Sequence, residues 1–108
     1  MAEIQANKSE GSNYYLWEAV TENDTCEAVE VRPGFYAFEV EGTFGGASVE
    51  LQAGTTEATV KTIDGSNLVF TAASKYGVYL DNTVVKPIRT SGSSTDVNIY
   101  LRPIELYV

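Results

Sequence analysis

The chain has 108 residues, 44% of them hydrophobic and 20% charged, with a single cysteine, no histidine and a formal net charge of −8. That length holds one domain with its own hydrophobic core. An intrachain disulfide is excluded, the commonest general base and zinc ligand is missing, and cations are too few to favour nucleic acid as a partner.

The acids are unevenly spread. Residues 1–54 carry ten Asp or Glu against Lys8 and Arg32, whereas residues 55–108 carry five acids and five bases. An acidic half is ordinarily a solvated surface; the alternative is a face turned toward a basic partner or outward from an assembly. No apolar run is long enough to cross a bilayer of roughly 30 Å, so no membrane contact is expected. The opening residues MAEIQANKSE lack the basic start and apolar stretch of a secretory signal, so folding in a cytoplasm is expected.

In chain order, residues 1–13 are polar apart from Ile4 and read as an extended N-terminal arm, too poor in apolar groups to offset its ordering entropy alone. The β-domain is expected over residues 14–108. Tyr14–Val20 is aromatic and reads as a strand, followed by a polar turn at Thr21–Thr25. Cys26 and Ala28 alternate with Glu27 and Glu30 in a short strand that Arg32-Pro33-Gly34 ends; Cys26 itself reads as a small buried apolar side chain.

The clearest stretch is Gly34–Gln52. Tyr36, Phe38 and Val40 alternate with Ala37, Glu39 and Glu41, and after Gly45-Gly46 the residues Val49 and Leu51 alternate with Ser48, Glu50 and Gln52. This period of two places apolar side chains on one face, and the glycine pair predicts a β-hairpin. A strand is expected over Glu57–Ile63, with a second hairpin turn at Asp64-Gly65 leading to Leu68–Phe70. Ala72–Lys75 is the only segment compatible with a helical turn.

Tyr76–Leu80 reads as a strand, Asp81-Asn82 as a turn and Thr83–Arg89 as a strand in which Pro87 implies an edge or a bulge. In the last strand Val97, Ile99 and Leu101 point inward, and Asn98, Tyr100 and Arg102 outward. About eight short strands predict an all-β fold, a single-domain antiparallel β-sandwich of jelly-roll type. Its expected core includes Tyr36, Phe38, Val40, Val49, Leu51, Val97, Ile99 and Leu101.

Chemistry is sparse. Glu39, Glu41 and Glu50 offer paired carboxylates on what read as adjoining strands, but exposed strand carboxylates ordinarily serve solubility. Asn23-Asp24 and Asp64, Ser66 and Asn67 supply oxygen atoms without the spacing of a calcium loop, and suit turns better. Gly42, Gly45 and Gly46 lack the following helix of a phosphate cradle. No catalytic residue, metal or cofactor is expected, so the chain reads as non-enzymatic. Seven tyrosines and a tryptophan favour an interaction surface.

From Gly42 onward, Gly45–Gln52, Tyr76-Gly77-Val78-Tyr79-Leu80, Val84–Arg89, the loop Ser91–Ser94 and the strand Val97–Leu101 follow one another in an order that resembles small structural proteins of tailed bacteriophages. The middle segment lacks the Trp often found in those proteins. The resemblance implies a capsid decoration, or cement, protein on the outside of the virion head. Such a protein clamps neighbouring major capsid subunits, commonly as a homotrimer assembled in the host cytoplasm. Contact residues expected on this reading are Ile4, Gln5, Asn7, Tyr14, Tyr15, Trp17, Tyr100 and Arg102. The alternative is a carbohydrate-binding module or a tail- or fibre-associated adhesion protein.

Overall fold

A computed structural model describes residues 2–8, 14–63, 68–81 and 83–104. In chain order the strands are β1 (Ala2–Ile4), β2 (Asn7–Lys8), β3 (Tyr15–Val20), β4 (Asp24–Cys26), β5 (Val29–Val31), β6 (Gly34–Thr43) and β7 (Ser48–Gly54). They continue as β8 (Lys61–Thr62), β9 (Val69–Phe70), β10 (Ser74–Leu80), β11 (Thr83–Thr90) and β12 (Asp96–Pro103). Two antiparallel sheets pack face to face as a single-domain β-sandwich. The larger runs β10-β6-β12-β3-β2; the other runs β5-β11-β7-β8, with β9 also on β7.

The core lies between the sheets and follows the alternation. Phe38, Val40, Val49, Leu51, Val97, Ile99 and Leu101 are all fully buried, and Tyr36 nearly so. β12 runs at the centre of the larger sheet, between β6 and β3. Its partner β3 buries Trp17 and Val20, which lie three residues apart and would fall on opposite faces of a regular strand. A register shift between Val97 and Ile99 corrects the phase. Ala19 takes a left-handed φ of 53° and donates its N–H to Asn98 Oδ1 at 2.9 Å.

Gly34–Gln52 is not a hairpin. β6 and β7 belong to different sheets, so the turn between them is an arch across the sandwich. Each strand has better partners elsewhere: β6 pairs with β12 and β10, and β7 with β11, β8 and β9. The arch is pinned from inside by Phe44 and Ala47, both buried, with Ala47 N–H donating to Phe44 O at 3.0 Å. The loop before β12 stitches it down: Ser93 N–H donates to Gly45 O at 2.9 Å, and the buried Thr95 Oγ1 to Phe44 O at 2.8 Å.

The reversal expected at Asp64-Gly65 lies outside the described residues, but its flanks show none. β8 and β9 both run antiparallel to β7 along the same margin, so the two strands run in the same direction. Among the described residues helical geometry occurs as one 3-10 turn at Glu57–Thr59, where a strand was expected, and Ser74 and Lys75 belong to β10 instead of a helical turn. Thr59 caps that turn, its Oγ1 accepting the N–H of Thr56 at 3.0 Å. Pro87 is buried in β11 but lies past the end of β5, where β11 keeps β7 as its ladder partner.

The N-terminal segment also departs from expectation. Over residues 2–8 it lies on the body, β1 pairing in parallel with β4 and β2 with β3. Glu27 N–H donates to Ile4 O, and Ala6 N–H to Glu27 Oε1, both at 2.9 Å. A count of apolar side chains misses this, because the segment is held by backbone groups completing otherwise unpaired strand margins.

Candidate functional site

The outer face of the larger sheet carries the most distinctive surface. Phe35 on β6 and Tyr79 on β10 are paired residues, and their rings meet edge to face with centroids 5.1 Å apart. They are 45% and 54% exposed, so the contact covers neither ring. Ile104, just past β12, donates its N–H to Phe35 O at 2.7 Å. Its side chain lies over Gly77: a Cβ there would sit 3.7 Å from Ile104 Cδ1. Glycine at 77 and alanine at 37, opposite each other across β10 and β6, leave the floor on which Ile104 rests.

A polar belt borders this patch. Arg102 Nη2 donates to Glu39 Oε1 in an ion pair, Tyr100 Oη donates to Glu41 Oε1, and the Arg102 guanidinium stands 5.9 Å from the Tyr100 ring centroid. The Glu41 hydrogen bond, with smaller contributions from desolvation and nearby charges, pushes the Tyr100 phenol up to about 12. The folded state therefore holds this proton more tightly than the unfolded chain does. The contact supports folding in full below the ordinary value of 10.0 and is lost as pH rises through about 12. Glu41→Gln should return the Tyr100 titration toward 10.0, followed by NMR of the tyrosine rings; an unmoved titration would show that Glu41 does not hold the proton.

A separate apolar feature lies at the β10 margin, on the inward side of the larger sheet and against β9 of the other. Val69 and Tyr76, 47% and 46% exposed, flank an open groove of about 510 Å³ whose walls include Phe70, Ala72 and Ala73. One flank of the sandwich is closed by three buried rings that donate to backbone carbonyls of one segment. Trp17 Nε1 donates to Glu27 O at 3.0 Å, Tyr15 Oη to Glu30 O at 2.9 Å, and Tyr36 Oη to Arg32 O at 2.7 Å. Desolvation raises the Tyr15 and Tyr36 phenols above their usual range.

These contacts correct two of the expected contact residues. Tyr15 is 4% exposed and Trp17 fully buried, because a ring with a polar tip can be buried when that tip finds a carbonyl. Tyr100 and Arg102 are half-buried on the outer face, engaged with Glu41 and Glu39. Ile4 and Gln5 lie elsewhere, in and just after β1 beside β4, and Asn7 lies in β2. Tyr14 is half-buried immediately before β3. The expected set is therefore not one patch.

Phe35, Tyr79, Ile104, Val69 and Tyr76 were missed. The signal for Phe35 is its place one residue out of phase with Tyr36 and Phe38; Tyr76 and Tyr79, three apart on one strand, cannot both face the core.

The carboxylates do not form a reactive pair across adjoining strands. Glu39 and Glu41 belong to the larger sheet and Glu50 to the other. Asp24 serves its turn, Oδ2 accepting both Thr21 N–H and Thr21 Oγ1–H at 2.9 Å. Among the described residues no group of three or more Cys, Asp or Glu side chains is placed to hold a metal ion. Cys26 is buried, and desolvation pushes its thiol up to about 12, which keeps it protonated and unreactive at neutral pH. No helix among the described residues is long and apolar enough to cross a membrane. Comparison with protein-family models, with curated proteins and with solved structures yields no match.

Proposed function

We propose that this chain is a non-enzymatic structural protein of a tailed-phage virion, a decoration protein that binds the outside of the head and bridges neighbouring major capsid subunits. The observation that carries the reading is the outward patch of Phe35, Tyr79 and Ile104 on a sheet whose other face is core. Exposed aromatic and aliphatic groups on a fixed sheet, with a polar belt of Glu39, Glu41, Tyr100 and Arg102 beside them, suit an interface with an apolar centre and a polar rim. The order of features from Gly42 to Leu101 that resembles small phage structural proteins supports the choice of a capsid shell as partner. Many identical modest contacts then reinforce one another across the lattice.

The second reading, a sugar-binding or adhesion module, draws on the same exposed rings. It is less well supported, because Trp17 is buried and Phe35 and Tyr79 meet edge to face instead of forming a flat stacking platform. Incubating the purified chain with assembled phage shells, sedimenting, and measuring its ratio to the major shell subunit tests the proposal. A saturable, fixed stoichiometric ratio is expected; an absence of saturable binding would overturn it.

A further inference from the structure

The loop between β11 and β12 is held away from relaxed backbone geometry. Ser91 and Ser94 take left-handed φ angles of 64° and 56° on either side of Gly92, a conformation that residues with side chains keep only while their surroundings enforce it. Hydrogen bonds supply the restraint. Arg89 Nη1 donates to Ser91 O at 2.6 Å, Ser93 N–H to Gly45 O, Thr95 Oγ1 to Phe44 O, and Thr95 N–H to Glu22 Oε1 at 2.8 Å.

Among these partners Glu22 is the carboxylate, and it bears on both ends of the loop. At one end it accepts from Thr95, which is 2% exposed, so an amide that lost this acceptor would find no ready replacement in water. At the other end its charge faces Arg89, the residue that holds Ser91 O. Arg89 Nε is buried with no hydrogen-bond partner among the described residues, so a nearby negative charge counts for more there than at an exposed guanidinium. The neighbouring acids are placed differently: Asp24, in the same turn as Glu22, accepts from Thr21, and Asp96, next to Thr95, is exposed at the start of β12. Its own N–H and that of Thr95, with the Arg89 charge and the Ser94 N–H, outweigh desolvation and hold the Glu22 carboxyl below its ordinary value of 4.5. Such a carboxyl supports the fold in full above 4.5, and the support is lost as pH falls through the lowered value.

We infer that Glu22 is an acid-sensitive latch on residues 91–95: its carboxylate fastens both ends of this strained loop, and protonation frees the loop while the two sheets stay paired. The sheets hold because the described core between them is apolar and contains no carboxylate to titrate. What opens is the stitching over Phe44 and Gly45, so the arch between β6 and β7 loosens before the body unfolds. The latch works in the isolated chain, whatever the outer patch binds.

The test is amide hydrogen exchange with NMR on the full chain, from neutral pH to well below 4.5, corrected for intrinsic exchange. Protection at Ser93 and Thr95 should fall by at least about tenfold as Glu22 titrates, while Val40 and Ile99 in the central strands keep theirs. The Thr95 amide proton resonance should shift over the same window, because its acceptor changes charge. Glu22→Gln should lower the protection of both loop amides already at neutral pH and remove its dependence on acid, whereas Asp96→Asn should leave the wild-type profile unchanged. The wild-type profile is read without reliance on any variant's folding. Loss of protection at Ser93 and Thr95 only together with Val40 and Ile99, an acid response that persists in folded Glu22→Gln, or one abolished by Asp96→Asn would each overturn the latch.

Discussion

Trp17→Ala is expected to lower the unfolding free energy by about 3–5 kcal/mol, measured by chemical denaturation, and to be the most damaging single truncation in the chain. The ring is fully buried on β3, beside Tyr15, with ring centroids 6.3 Å apart. Its loss opens a cavity between the sheets and strips Glu27 O of the donor that ties β4 and β5 to the larger sheet. Trp17→Phe keeps part of the volume but not the N–H, and should cost less, about 1–3 kcal/mol. If alanine at 17 cost under about 1 kcal/mol, the ring would have to be solvated in the folded state, and the closed flank described above would be wrong.

The second large effect separates two adjacent glycines. Gly45 has φ 60° and Gly46 φ 85°, so both disfavour a side chain, but their surroundings differ. A Cβ on Gly45 would stand 1.9 Å from Ser93 O, a backbone atom that cannot swing away, whereas a Cβ on Gly46 would meet nothing within 4 Å. Gly46→Ala should therefore cost about 1 kcal/mol from backbone strain alone. Gly45→Ala adds displacement of the Ser93 loop and the Ser93 N–H to Gly45 O hydrogen bond, and should cost at least about 2–3 kcal/mol. A plain hairpin turn projecting into solvent would show similar, small losses at both positions. The contrast in denaturation midpoints thus reports on the arch itself.

This arch marks the boundary of what the sequence discloses. Alternation in β6, β7 and β12 names the buried residues because side-chain direction follows the strand period whatever the strand pairs with. It does not name the pairing partner. Two alternating strands around Gly45-Gly46 satisfy a hairpin and an arch equally, since both bury the same Tyr36, Phe38, Val49 and Leu51. The discriminating clue was Phe44 and Ala47 on either side of the glycines: apolar residues flanking a turn belong to one that is covered, and both are buried. The direction of β9 was hidden for a related reason, because Asp64-Gly65 is a local signal for reversal, whereas β7 offers one long margin that takes β8 and β9 in succession.

The exposed aromatic patch was legible only in part. A surplus of tyrosine and tryptophan implied that some rings are exposed, and Tyr76 and Tyr79 are, Tyr79 on the outer face and Tyr76 on the inward side at the β10 margin. Composition could not tell which rings find an internal acceptor. Trp17, Tyr15 and Tyr36 are buried because carbonyls of Glu27, Glu30 and Arg32 receive their donors, a tertiary circumstance with no local pattern in the chain. Phe35, by contrast, is exposed because period two leaves it on the outer face, and Ile104 follows Tyr100 and Arg102 onto that face by the same period.

The proposed role rests on the outer patch, and the most direct measurement compares wild type with Phe35→Ser/Tyr79→Ser for binding to assembled phage shells. Both side chains are exposed, so the double variant should keep the wild-type melting temperature within a few degrees. Wild type should saturate the shell at a fixed ratio and the variant should bind at least about tenfold more weakly. Equal binding by a folded variant, or no saturable binding by the wild type, would contradict the role assigned to this face.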